Sequence, residues 1–131
     1  MNRVLDRLWI GDTADFRSPL KALGFVAALD LRDGEGSPSE VALWRVGNRD
    51  GDAWSPKQVK DALDFVAEHI RRGRVLIACA AGMSRSASMV IGFLVRSGWS
   101  EGEAFEAVRQ VRPKIAPVPC MLASVLEAVK L

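Results

Sequence analysis

Apolar positions along the chain come in short blocks of two kinds, and their alternation predicts an α/β fold with a central mixed sheet flanked by helices. Leu8-Trp9-Ile10, stopped by Gly11, has the length of a short strand, and Phe25 to Leu31 reads as a longer, buried one. Leu43 to Val46 is a third candidate. Val75-Leu76-Ile77-Ala78 is too short and too β-branched for a helix and predicts a central strand. Elsewhere the period is helical. Ser55 caps a helix with Pro56 in its first turn, Gln58 completes a capping box, and Trp54 and Val59 stand at the positions of a hydrophobic staple. Val59, Leu63, Val66 and Ile70 supply its apolar stripe, and Arg71, Arg72 and Gly73 suit its end. Ser86 to Ser97 is apolar almost all round, which predicts a buried helix. Ser100 and Glu103 form a second capping box ahead of Ala104, Phe105, Val108 and Val111. Pro113, Pro117 and Pro119 enforce a break, and a last helix carries Leu122, Val125, Leu126 and Val129 on one face. Ser18-Pro19 predicts a further short helix running towards Gly24, and Arg32 to Glu40 predicts an exposed loop.

At 131 residues, this pattern fits one domain, residues 1–131, with a real core. A net charge of +2 gives no support for a nucleic-acid partner or a membrane surface. No apolar stretch is long enough to span a bilayer, and Met1 to Asp6 lacks the apolar region of a signal peptide. Two cysteines, Cys79 and Cys120, are too few for a disulfide framework and fit a reducing, cytoplasmic setting. The single histidine, His69, excludes sites built on several histidines, most catalytic zinc sites among them. No metal or cofactor is expected.

The candidate chemistry sits where the central strand ends, in Cys79-Ala80-Ala81-Gly82-Met83-Ser84-Arg85-Ser86. A strand, a loop of small residues and a helix N-terminus form a cradle for a phosphate, whose oxygens backbone N–H groups can hold. Gly82 gives the loop access to positive φ, and alanines at 80 and 81 keep side chains out of the way. Arg85, six positions after Cys79, can bind two phosphate oxygens at once. The positive potential of such a loop favours the thiolate, the form that attacks. Ser86 and Ser84 are placed to donate to that thiolate or to the loop backbone. The Cys-x5-Arg spacing is weak evidence alone; its position between a strand and a buried helix, with Gly82 and Ser86, makes it specific.

Val75 to Ser86 resembles the signature loop of the cysteine-dependent protein phosphatases, and most of all their compact dual-specificity branch, which reads Val-x-Val-His-Cys-x-x-Gly-x-Ser-Arg-Ser. Leu8-Trp9-Ile10-Gly11-Asp12, Leu20 to Leu31 and Arg112-Pro113-Lys114-Ile115 resemble further segments of that family. The resemblance implies a dual-specificity phosphatase-like fold, a single catalytic domain and no metal. It implies that Cys79 forms a phosphocysteine intermediate, that Arg85 and the loop from Ala80 to Arg85 bind the phosphoryl group, and that Ser86 helps the thiolate leave. The family carries its general acid on a loop about thirty residues before the cysteine. Asp50, 29 positions before Cys79 and followed by glycine, is the better match, with Asp52 the alternative. The implied partner is a phosphorylated protein carrying phosphotyrosine, with phosphoserine and phosphothreonine as further substrates, met by a monomeric enzyme.

Two departures stand out. Ala78 occupies the place of the family's histidine, which normally hydrogen-bonds the loop, so the competing expectation is a phosphate-binding pseudoenzyme. Pro117-Val118-Pro119 replaces a polar segment that supports the loop. A rhodanese-like sulfurtransferase, whose cysteine loop is usually one residue shorter, is a third class. Cys120 is expected to be a packed residue at a helix start, His69 a surface histidine, and Trp54 a core residue or a wall of the pocket.

Overall fold

The computed structural model describes residues 1–33 and 40–131, so the expected loop from Arg32 to Glu40 lies largely outside the described residues. Five strands, β1 (Asn2–Arg3), β2 (Leu8–Gly11), β3 (Phe25–Asp30), β4 (Ala42–Arg45) and β5 (Arg74–Ala78), form one sheet in the order β1-β2-β5-β3-β4. β5 is central, parallel to β2 on one side and β3 on the other; β4 is parallel to β3, and β1 runs antiparallel to β2. The helices are α1 (Thr13–Phe16), α2 (Pro56–Ile70), α3 (Arg85–Arg96), α4 (Glu101–Val111) and α5 (Pro119–Val129).

Alternation along β5 sorts its side chains onto two faces. Val75, Ile77 and Cys79 join the larger core with Leu8, Ile10, Leu29, Val59, Leu63, Ala87, Ile91 and Val125. Leu76 and Ala78 join a smaller cluster with Phe16, Leu20, Phe25 and Ala28. The larger core lies under α2, α3, α4 and α5; the smaller lies under α1 and the turn that follows it. α3 is buried from Arg85 to Leu94, as its apolar composition predicts. Both expected capping boxes form, Ser55 with Gln58 and Ser100 with Glu103, and each cap is worth about 1 kcal/mol. α5 turns Met121 and Val125 fully inward, so its buried face is shifted from the expected stripe.

Two local expectations are corrected, and Trp54 takes its expected place in the core. No α-helix starts at Ser18: its hydroxyl donates back to the Asp15 carbonyl at the end of α1, and among the described residues no N–H of the turn that follows reaches its oxygen. α1 itself is opened by a capping box between Asp12 and Asp15. The segment from Pro19 to Gly24 is a single turn, with the Leu23 N–H on the Pro19 carbonyl. Arg32 is buried rather than exposed, because its guanidinium pairs with the buried Asp30 carboxylate, which also receives Arg45. Trp54 is a core residue at 3 % exposure and takes no part in the pocket.

Candidate active site

Cys79 follows directly on β5, and its N–H reaches the Gly11 carbonyl of β2 at 3.4 Å. The chain then turns through Gly82, at φ +69°, and enters α3 at Arg85. A Cβ at Gly82 would stand 2.7 Å from the Gly11 carbonyl oxygen and 2.5 Å from Arg112 Nη2, so this turn requires glycine on two counts.

The carbonyls of the turn are held from outside it. Ala80 O accepts from the Thr13 N–H at 3.3 Å, Met83 O from the Ala116 N–H at 2.8 Å, and Ser84 O from the Ser88 N–H at 2.9 Å. Ala81 O accepts from Arg112 Nη2 at 3.3 Å. A trans peptide points its N–H opposite to its C=O, so these four bonds turn the N–H groups of Ala81, Gly82, Ser84 and Arg85 away from the loop's outer supports. Among the described residues none of those N–H groups has a partner. Ser84 does not cap α3 with its side chain; its hydroxyl oxygen accepts from the Val118 N–H at 3.1 Å. The helix N-terminus is left open, which is the arrangement that binds anions.

The thiol of Cys79 is 2 % exposed. It lies 3.3 Å from Ser86 Oγ and receives the Ser86 N–H at 3.4 Å. Ser86 therefore meets the sulfur as expected, while Ser84 is turned to the loop's support. Arg85 uses Nη1 to bridge the Leu31 and Asn48 carbonyls, at 3.1 and 2.9 Å. Its Nε is buried with no partner among the described residues. Together Asp50, Cys79, Ala80, Ala81, Met83, Ser84, Arg85 and Ala116 line a pocket of about 290 Å³. Gly82 and Ser86 are not among its lining residues.

Asp50 and Asp52 separate here. Asp50 lines the pocket with Cys79, whereas Asp52 does not, and its N–H closes a turn on the Arg49 carbonyl. The segment bearing Asp50 is tied to Arg85 through the Asn48 carbonyl and to the first turn of α5 through Gly51.

The two departures have structural counterparts. Ala78 faces the small cluster of Phe16, Leu20 and Ala28, on the side of the sheet away from Cys79. On that side α1 holds the loop with a backbone donor, Thr13 N–H on Ala80 O. The Pro117 region supports the loop after all, through the N–H groups of Ala116 and Val118 rather than through a polar side chain. Cys120 is exposed and free rather than packed, with its thiol donating to the Gly51 carbonyl. His69 sits at the end of α2, half-buried against Phe65 with ring centroids 4.3 Å apart.

Arg112 is a supporting residue that spacing alone does not reveal. Besides Ala81 O it reaches Asn2 Oδ1 at 2.8 Å and Asp12 Oδ2 at 3.4 Å. Burial pushes the Asp12 carboxyl up, but its hydrogen bonds with Asp15 and the charges of Arg112 and the N-terminus outweigh that and hold it below the usual carboxylate range.

The family model of the dual specificity phosphatase catalytic domain matches residues 17–130. Dual specificity protein phosphatase 1-B of Xenopus laevis is 29% identical over 126 residues, 87% of this chain and 33% of its own length. Dual specificity protein phosphatase 22-A of Danio rerio is 27% identical over 125 residues, 89% of this chain and 59% of its own. The chain thus spans a third of the first relative's length and well over half of the second's. In fold it is similar to human DUSP28, with a TM-score of 0.88 at 24% identity over 99% of this chain and 96% of that one. The sequence match runs far beyond the cysteine loop, from the turn before β3 to the end of α5, and on that extent the chain belongs to the dual specificity phosphatase catalytic domain family.

Proposed function

We propose that the protein hydrolyses phosphorylated side chains of proteins, phosphotyrosine first and phosphoserine and phosphothreonine with it, through a phosphocysteine intermediate. The observation that carries this is the meeting of three features in one pocket: a buried sulfur, peptide N–H groups without partners, and the unpaired Nε of Arg85. With Nη1 anchored to two carbonyls, the Nε–Nη2 edge of Arg85 is the one left to take two phosphoryl oxygens.

In the first step the Cys79 thiolate attacks phosphorus, an S–P bond forms, and the P–O bond to the substrate breaks. The departing oxygen takes its proton from Asp50. In the second step the Asp50 carboxylate accepts a proton from water as the water oxygen attacks phosphorus, and the S–P bond breaks. The Ser86 hydroxyl, 3.3 Å from the sulfur, stabilises the returning thiolate. Loop charge speaks for a protein substrate over an inositol lipid, since Ala80, Ala81 and Met83 add no basic group. Both cysteines are free, in keeping with a reducing cytoplasm, and a monomer suffices for every step.

Ala78 carries a second reading, a module that binds phosphorylated partners without turning them over. Turnover of an aryl phosphate, a phosphotyrosine peptide, a phosphothreonine peptide and a phosphoinositide by the reduced protein, with Cys79→Ser as control, separates the two. Hydrolysis of the peptides that is lost in Cys79→Ser supports the enzyme. Binding of the phosphopeptides without turnover at any pH, and unchanged by Cys79→Ser, overturns it in favour of the module. Asp50→Asn is expected to remove the fall in rate on the alkaline side, because an acid must be protonated to donate. The same result from Asp52→Asn would move the assignment.

A further inference from the structure

The segment that bears Asp50 is held by an unusual pair of groups. The Gly51 N–H donates to Met121 Sδ at 3.2 Å, and the Gly51 carbonyl accepts from the Cys120 thiol at 3.0 Å. Both sulfurs belong to the first turn of α5, 69 and 70 positions away in sequence. Gly51 itself has φ +102°, and nothing lies within 4 Å of where a Cβ would stand, so no packing on that side fixes it. Its N–H belongs to the peptide that starts at the Asp50 carbonyl carbon. Rotation of that peptide changes the backbone torsion at Asp50, and with it the direction of the carboxyl.

We infer that Cys120 and Met121 are positioning residues of the general acid, clamping the Gly51 peptide groups so that Asp50 faces the pocket; this rests on the assignment of Asp50 as the acid. The two residues suit different halves of the task. Met121 is fully buried and holds its sulfur still from within the core. Cys120 is exposed, so its contact can form and break without disturbing the core. A thiol is a weak donor and a thioether a weak acceptor, so the clamp sets the acid's pose while leaving the segment free to yield when substrate enters or product leaves.

The leaving-group dependence of kcat/KM tests this: kcat/KM reports phosphocysteine formation and not the later water attack, and in that step a displaced acid harms only substrates that need protonation. Phenyl phosphate needs it and 4-nitrophenyl phosphate needs it far less. Cys120→Ala and Met121→Leu are each expected to lower kcat/KM on phenyl phosphate about three- to tenfold while changing that on 4-nitrophenyl phosphate less than about twofold. Cys120→Ser, which restores a donor, should recover most of the loss. Met121→Leu keeps the core volume and removes only the acceptor, so faster exchange of the Gly51 amide proton reports the same clamp without turnover. Equal losses of kcat/KM on both substrates, failure of Cys120→Ser to recover, or unchanged Gly51 exchange overturns the inference. Asp50→Asn is measured beside them. If it slows phenyl phosphate selectively and the α5 variants do not, the clamp falls and the acid assignment stands. If Asp50→Asn leaves phenyl phosphate unaffected, the acid assignment falls and takes the clamp with it.

Discussion

The loop from Ala80 to Arg85 and the segment from Asn48 to Asp52 line one pocket, but they are built to different standards of rigidity. Four carbonyls of the loop are engaged from outside by donors on α1, α3, Arg112 and Ala116. The segment proposed to carry the acid is exposed from Arg49 to Asp52 and is tied by one guanidinium, the Gln58 side-chain amide on Asn48 and two sulfurs. Donors that hold a phosphoryl group through two steps must not reorganise, and preorganisation is where most of the electrostatic benefit lies. An acid that later acts as a base has to move with the leaving group and the water. The contrast teaches that fixed and yielding parts of one site can be told apart by what their backbone groups are bonded to.

The sharpest break of the comparison is at its fixed pole. Cys79→Ser is expected to lower turnover of an aryl phosphate by about 10³-fold or more, since the nucleophile itself is lost. Arg85→Lys should lose about 10²- to 10³-fold, because an ammonium cannot present two donors in one plane. Steady-state rates on the purified protein check both, with circular dichroism to show that the fold is kept.

A matched pair of glycine substitutions sharpens the difference in rigidity. Gly82→Ala must place its Cβ against a carbonyl oxygen and a guanidinium at positive φ, and should cost about 2–3 kcal/mol of stability. Gly51→Ala carries a backbone penalty alone, with nothing within 4 Å of the new Cβ, and should cost about 1 kcal/mol. Urea denaturation midpoints of the two variants give the ranking; a larger loss at Gly51 would reverse the comparison.

Smaller again is the outer brace. Arg112→Gln removes the donor to Ala81 O and the ion pair with Asp12. It is expected to cost about 1–2 kcal/mol and to weaken phosphate inhibition severalfold with the acid segment untouched. Thermal melts and inhibition by inorganic phosphate measure the two effects.

The smallest effect is a pH dependence. The Asp12 carboxyl is held below its unfolded value, so its contribution is present above the ordinary carboxylate pKa and is lost as pH falls through the depressed one. Stability should therefore drop as pH falls from the ordinary carboxylate range through the depressed Asp12 pKa, and part of that slope should vanish in Asp12→Asn, which still caps α1. Denaturant midpoints across that range give the slope for each protein.

Much of this molecule could be read from the order of its residues, for reasons that are local. Strand, loop and helix around Cys79 follow from β-branched residues, small residues and an apolar run that are neighbours in the chain. The caps at Ser55 and Ser100 depend on residues three positions apart. Ser18 misleads because a serine before a proline is compatible both with opening a helix and with the place it takes here, at the end of α1 with its hydroxyl on the Asp15 carbonyl. Arg32 reads as exposed because it is a charged residue in a Gly- and Pro-rich stretch, and nothing nearby in the chain shows that Asp30 is buried to receive it.

The residues proposed to carry the chemistry, Cys79, Arg85 and Ser86, stand together within eight positions of the chain, and the segment proposed to carry the acid can be located by its distance from them. Which carboxylate enters the pocket, what braces the loop, and what clamps Gly51 were matters for the folded chain. Those partners lie as far as 31 to 70 positions away and act largely through backbone N–H and C=O groups or through sulfur. Almost every residue carries the same two backbone groups, so no pattern of side chains marks in advance which of them will meet. Their encounter depends on sheet order and helix packing, and it is there that Asp50 is separated from Asp52.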